Sequence, residues 1–247
     1  MSYLRVLLGI DLAHPPGKIF EFAAISVVFA ALGRVVRGVT TVGAATGAVI
    51  CFVLLWAGGL AGLTALLMVF LLTWATTRVG YSRKQPFGTA EGHSGRNALQ
   101  VLANLGVSAG CAVLYAHFPN RGLIGAMAAA LAEPAADTVS SEIGQAVGGA
   151  PRLITTWRTV AEGTNGAITL MGTLVGAFAA IVVALVFFAF GKLGRASSVV
   201  VALSGIAGMV ADSLLGATIE GRGRMGNNAV NFISTAVAAI VGFLIVS

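Results

Sequence analysis

The sequence predicts an all-α, polytopic integral membrane protein with about 7–8 transmembrane helices in one Gly-rich bundle, and three observations lead there. Hydrophobic residues make up 57% of the chain and charged residues 10%, with a mean hydropathy of +0.92, whereas a soluble domain carries roughly 25% charged residues. The apolar residues fall in runs of about 20, the length that spans a bilayer core. The chain has 33 glycines, spread through those runs as well as the loops, too many for soluble helices but suited to membrane helices whose backbones pack closely. No polar stretch is long enough for a soluble domain, so residues 1–247 read as a single transmembrane domain.

Residues 1–17 hold a short apolar run interrupted by Asp11 and closed by Pro15–Pro16. That run is too short for a signal peptide and reads as an N-terminal interfacial segment. Eight candidate spans follow: Phe20–Val36, Val42–Ala57, Gly62–Val79, Ala98–Phe118, Leu123–Val147, Gly166–Phe190, Val199–Ile219 and Ala229–Val246. The second and third are joined only by Gly58-Gly59-Leu60-Ala61, which predicts a tight helical hairpin. Residues 80–96 form a basic loop and residues 148–164 a second connecting loop. Cys51 and Cys111 sit inside apolar runs without partners at metal-ligand spacing, so they read as buried free thiols.

Alternating eight spans across a membrane sorts the 15 Lys and Arg residues into two unequal sets. One face receives Arg34, Arg37, Arg78, Arg83, Lys84, Arg96, Arg152, Arg158, Arg222 and Arg224; the other receives Arg5, Lys18, Arg121, Lys192 and Arg195. The positive-inside rule makes the richer face cytoplasmic, in an inner or cytoplasmic membrane, with both termini outside. This accounts for most of the +6 formal charge and leaves no reason to expect nucleic acid as a partner.

The functional signal is the run Glu133-Pro-Ala-Ala-Asp137-Thr-Val-Ser140-Ser141-Glu142-Ile-Gly144, three acids in an otherwise apolar chain. A carboxylate in or near a bilayer is costly and marks a functional site by default. On a helix, Asp137, Ser140, Ser141 and Gly144 share one face. Ala211-Asp212-Ser213 echoes the run downstream, and both acids fall in the cytoplasmic halves of their spans. Asp137 and Asp212 suit oxygen ligation of Mg²⁺, which takes one or two protein carboxylates plus substrate phosphates; an acid paired with arginine or capping a broken helix has the same pattern. Glu142 and Glu220, nearer the loops, fit a ligand or a solvated ion pair equally well. Glu133, before Pro134, either lines the site or satisfies groups freed by a proline kink.

The basic segment 78–96 mixes cations with Gly and Ser, as a loop closing over phosphate does, although it matches no Walker pattern. Orientation alone would account for its charges too. Gln100 and Asn104, four apart, share a face near the same surface. Gly163-Thr164-Asn165-Gly166 reads as the opening of a span, either an N-terminal anion site or an ordinary cap. The units Asp137…Asn165 and Asp212…Asn231 form a weak internal repeat: a helix bearing Asp, a basic crossing, then a helix opened by Gly and Asn. The three histidines, His14, His93 and His117, fall in unrelated places, and no catalytic triad is discernible.

Several motifs occur in order: Arg96-Asn97-Ala-Leu-Gln100 with Asn104; Asp137-Thr-Val-Ser-Ser141-Glu142-Ile-Gly144; Pro151-Arg152-Leu-Ile-Thr155-Thr156 with Gly163-Thr164-Asn165-Gly166; and Asp212-Ser213-Leu-Leu-Gly216 with Asn227-Asn228-Ala-Val-Asn231. Together, from about Gly38 to the C-terminus, they resemble the integral membrane family that includes plant phytyl-phosphate kinase and animal transmembrane protein 19. The resemblance implies a lipid kinase that moves a phosphoryl group from a nucleoside triphosphate, with CTP favoured, to an isoprenyl monophosphate. Asp137, Asp212 and Glu142 are then expected to hold Mg²⁺ on the nucleotide and to form the catalytic set. Arg83, Lys84, Arg96 and Arg152 are expected to neutralise phosphate, while Gln100, Asn104, Ser141, Thr164, Asn165 and Asn231 complete the binding site. Two other functions use the same ingredients: a transporter of a small ion or metabolite, and a lipid nucleotidyltransferase, which would release pyrophosphate where a kinase releases nucleoside diphosphate.

Overall fold

A computed structural model describes residues 16–85, 94–147 and 149–246, without the side chains of Pro16 and Arg83. The interfacial segment expected at residues 1–17, His14 and His93 therefore lie outside the described residues or at their margin. Among the described residues there are seven long helices: α1 (Pro16–Val35), α2 (Thr41–Arg78), α4 (Ala98–His117), α5 (Arg121–Val147), α6 (Leu170–Ala189), α7 (Arg195–Thr218) and α8 (Asn227–Val246). A single turn, α3 (Tyr81–Lys84), follows α2, and a 3-10 turn at Glu220–Arg222 follows α7. Between α5 and α6, β1 (Arg152–Leu153) pairs antiparallel with β2 (Ala167–Ile168).

The chain is thus an all-α membrane protein, and α2, α4, α6, α7 with its 3-10 extension, and α8 are each long and apolar enough to cross a bilayer. The expectation of eight separate segments is corrected at α2, a 38-residue helix interrupted at Gly59 (φ 65°, ψ −151°). The left-handed φ is open to glycine without the steric cost a side chain incurs there. It reverses the chain: a Cβ at Gly62 would sit 2.4 Å from the Leu54 carbonyl oxygen. Trp74 Nε1 and Arg78 Nη2, near the end of α2, donate to the Val36 carbonyl just before its start, at 3.1 and 2.6 Å. The two arms lie antiparallel, the hairpin that Gly58-Gly59 signalled.

Direction alternates through the rest of the chain. One end of the bundle gathers the α1–α2 connection, the approach to α4, the β1–β2 loop and the 3-10 turn; Thr40 N, for example, donates to the Arg96 carbonyl at 2.9 Å. At the other end Trp56 meets His117 edge-on, with ring centroids 6.5 Å apart, and Gly125 abuts Val246. Local capping sets the helix starts at the first end. Thr40 Oγ1 accepts from Gly43 N (3.1 Å), and Asn97 and Gln100 form a reciprocal capping box.

α5 runs through the centre, packed against α2, α4, α6, α7 and α8. From Ile124 to Ala136 it is buried without interruption, so Glu133 within that stretch faces protein and not lipid. Close approach makes this possible: at Gly176 on α6, a Cβ would lie 2.6 Å from the Ala136 carbonyl oxygen and 2.7 Å from Ser140 Cβ. The outer surface instead carries exposed apolar side chains, among them Val28, Leu71, Leu114, Phe178, Leu203 and Ile240, the expected lipid-facing belt.

Candidate active site

At the end of the bundle that gathers the basic loops, a polar cavity of about 290 Å³ opens between α4, α5, α7, α8 and the loop before α6. α5 contributes Asp137, Ser140, Ser141 and Gly144, the helical face that their spacing defines. Asp212, Ser213 and Gly216 come from α7, Asn227 and Asn231 from α8, and Gln100 and Asn104 from α4. Residues 162–169 close the side left open by the helices.

Hydrogen bonds hold these groups at fixed positions. Arg96 Nη2 donates to Thr138 Oγ1 at 3.2 Å, tying the approach to α4 onto α5 beside Asp137. Asn104 Nδ2 donates to the Gln100 carbonyl at 2.7 Å. Ser234 Oγ donates to Asp212 Oδ2 at 3.1 Å. Asn231 links two helices: in one amide orientation its nitrogen donates to Asp212 Oδ2 (3.2 Å) and the Asn227 carbonyl (3.1 Å), in the other to Asn104 Oδ1 (3.3 Å). The carboxylates of Asp212, Glu133 and Glu220 and the Arg96 guanidinium all lie within electrostatic reach of Asp137.

Of the residues expected from sequence, the cavity brings together Asp137, Glu142, Asp212, Arg96, Gln100, Asn104, Ser141, Thr164, Asn165 and Asn231. Lys84 and Arg152 are not among its lining residues. Lys84 is 1% exposed and its ammonium pairs with Glu142, also donating to the Thr77 carbonyl at 2.9 Å. It is committed to joining α3 to α5, and it occupies one oxygen of Glu142. Arg152 is exposed on β1, where its guanidinium reaches the Trp157 carbonyl at 3.4 Å. The side chain of Arg83 lies outside the described residues. Glu133 does not line the cavity either; it is buried and accepts from Thr235 Oγ1 at 2.8 Å.

One local expectation is corrected. Gly163–Gly166 does not open a helix: α6 begins at Leu170, capped by Thr169, whose Oγ1 accepts from Gly172 N at 3.1 Å. Residues 167–168 pair instead with β1, so Thr164 and Asn165 reach the cavity from a loop and not from a helix N-terminus. The second unit of the internal repeat does open its helix at Asn227, so the two units match at their acids but not at their helix starts.

The site residues expected from sequence did not include Thr138, Gln145, Glu162 and Asn227, all in the cavity wall. Gln145 lies four residues beyond Ser141 and Asn227 four before Asn231, a helical spacing that could have found both. Glu162 arrives by the fold of its loop, for which no local signal exists.

The donor set bears on Mg²⁺. Among the described residues, no three or more His, Cys, Asp or Glu are grouped so as to hold a metal ion. Two facing aspartates supplemented by amide and hydroxyl oxygens fit a hard cation that arrives with phosphate and water, the usual way Mg²⁺ is bound. They do not make an all-protein cage.

The fold and the cavity define the chain as a helical integral membrane protein with an acidic pocket at one end of its bundle. The chain belongs to the family described as integral membrane protein DUF92, whose profile matches residues 24–239. It is 36% identical over 229 residues to an uncharacterized membrane protein of Methanocaldococcus jannaschii, covering 92% of this chain and 94% of that one. It is 31% identical over 196 residues to Protein VTE6, chloroplastic, of Arabidopsis thaliana, covering 75% of this chain and 59% of that protein. Protein PGR of the same plant is 35% identical over 183 residues, covering 63% and 64% of the two chains. No solved structure matches.

Proposed function

We propose that the protein is a lipid kinase that transfers the terminal phosphoryl group of a nucleoside triphosphate, CTP being favoured, to an isoprenyl monophosphate at the cytoplasmic face of the membrane. The observation that carries this reading is the meeting of Asp137 and Asp212, from helices distant in sequence, in one polar cavity whose wall includes Arg96. The resemblance of the motifs to phytyl-phosphate kinase and the kinship with Protein VTE6 agree with it.

Phosphoryl transfer asks a protein mainly for alignment and charge neutralisation. An oxygen of the acceptor monophosphate attacks the γ-phosphorus. The new P–O–P bridge forms as the bond to the β–γ bridging oxygen breaks, and that oxygen leaves with the electron pair on the nucleoside diphosphate. Mg²⁺, when bound, draws charge from the nucleotide phosphates. Asp137 and Asp212 would hold that ion on the nucleotide; Ser234 and Asn231 fix the Asp212 carboxylate. Arg96, anchored on Thr138, neutralises phosphate oxygens beside them. The excess of Lys and Arg at this end supports a cytoplasmic placement of the site. A transport path through the bundle is disfavoured because α5 beyond the cavity carries tightly buried apolar side chains such as Met127, Ala129, Ala130 and Leu131, all at most 1% exposed.

The test is incubation of purified protein with Mg²⁺, labelled nucleoside triphosphates and isoprenyl monophosphates. The expected product pair is isoprenyl diphosphate and nucleoside diphosphate; release of pyrophosphate would assign nucleotidyl transfer instead. Asp137→Asn and Asp212→Asn should each lower metal-dependent turnover by roughly 100-fold or more, the scale of losing one electrostatic stabiliser. Turnover unchanged in both variants would remove the site.

A further inference from the structure

A second cavity, about 360 Å³ in volume, lies between α1, the two arms of α2 and α4. It shares Arg96, Gln100 and Asn104 with the polar cavity, so the two meet along one face of α4. Their chemistry is opposite. The polar cavity is lined by five carboxylates, Asp137, Glu142, Glu162, Asp212 and Glu220, and one arginine, Arg96. The second has no carboxylate among its lining residues but three arginines, Arg37, Arg78 and Arg96, all near the basic end; its deeper wall is apolar, including Phe29, Leu66 and Phe70.

We propose that this second cavity holds the hydrocarbon chain of a lipid monophosphate whose headgroup sits against Arg96, where the two cavities join. The proposal rests on the kinase reading and extends it to the acceptor. Charge complementarity separates the two substrates: the acid-rich side favours phosphates that carry a divalent cation, while the arginine-rich, acid-free side favours a bare anionic headgroup. The apolar wall then takes the tail. A volume of about 360 Å³ corresponds to roughly a dozen units of the ~30 Å³ that a water occupies, and a methylene is of similar size. A chain of about ten to fifteen carbons fills such a space, whereas a five-carbon chain leaves most of it vacant.

Gly47 offers a clean probe. It lines this cavity on the first arm of α2, and a Cβ built on it meets no atom within 4 Å. Gly47→Phe therefore fills the space without forcing the backbone. Gly110, on the exposed side of α4, also has nothing within 4 Å of a built Cβ, and Gly110→Phe is the matched control. The experiment pairs two measurements on purified protein in nanodiscs: photo-crosslinking with a diazirine-bearing fifteen-carbon isoprenyl monophosphate, with labelled sites mapped by mass spectrometry, and steady-state kinetics with farnesyl and dimethylallyl monophosphates. The expected result is label on α1 and α2, displaced by farnesyl monophosphate. Gly47→Phe should lose that label and raise KM for farnesyl monophosphate at least tenfold, with the dimethylallyl KM and nucleotide affinity changed less than twofold. Gly110→Phe should match the parent. Label confined to α6–α8, or a farnesyl KM unaltered by Gly47→Phe while the enzyme turns over, would overturn the cavity assignment and leave the kinase reading intact. Displaceable label on α1 and α2 with no phosphoryl transfer would support the cavity and remove the kinase reading.

Discussion

Asp212 shows how a half-buried carboxylate is held ready on this scaffold. Ser234 donates to its Oδ2, and Asn231 reaches the same oxygen, so the acid has partners before any ion binds. Ser234→Ala removes one of them and leaves the carboxylate in place. It is expected to raise the Mg²⁺ concentration needed for half-maximal turnover severalfold, with a far smaller loss at saturation than Asp212→Asn; equal losses in the two variants would show that Ser234 does more than orient. Glu133 is a deeper case, resting on the Thr235 hydroxyl among packed helices. Thr235→Val withdraws the donor from a buried acid, a change that costs about 1–3 kcal/mol, visible as a lower Tm in detergent. These residues differ in how far sequence reveals them. The i, i+3, i+4 spacing of Asp137, Ser140 and Ser141 reports their shared face directly. That Glu133, one turn earlier, is held from α8 could not be read, because its partner is 102 residues away.

Among the α-helices, α3 is the shortest, a single turn held in place by tertiary contact. Its Lys84 is buried against Glu142 on α5, so the basic segment after α2 is fastened to the wall of the site. Breaking a buried pair by removing one partner costs about 3–5 kcal/mol, while replacing both is often near neutral. Lys84→Met should therefore destabilise markedly, and Lys84→Met with Glu142→Gln should recover most of the loss in a thermal-unfolding cycle. The loop from β1 to β2 is also invisible to local signals. Thr164 and Asn165 look like caps, yet Thr169 caps α6 because the two-residue ladder holds residues 167–168 extended. By contrast, the α2 hairpin was legible, since Gly58-Gly59 between two apolar runs has few other uses. Gly176→Leu tests helix contact: with Ala136 and Ser140 so near, the overpacked variant should lose about 1–3 kcal/mol and bind nucleotide more weakly as α6 moves off α5.

For the whole molecule, alternation of the helices puts both described ends of the chain at the end of the bundle opposite the acids. In a variant lacking Cys51 and Cys111, a cysteine at Trp157, 63% exposed on the β1–β2 loop, should react with a membrane-impermeant maleimide only from the cytoplasmic side. One at Lys192 should react only from the other. The reverse pattern would invert the orientation. The broad architecture was legible because bilayer thickness imposes a period on the chain that composition alone reveals; the interior was not, since which helix is central depends on who surrounds it. That helix is α5, and its position has a consequence for biogenesis. A segment with Glu133 and Asp137 near its middle is a poor candidate for leaving the translocon by itself, each such acid near a helix centre adding about 2.5–3.5 kcal/mol to insertion. It must wait beside the machinery until α6, α7 and α8, all synthesised later, arrive to sheathe it. A nascent chain stopped after α5 should therefore stay protease-accessible along that segment, and assembly in the membrane should proceed from the outside of the fold inward.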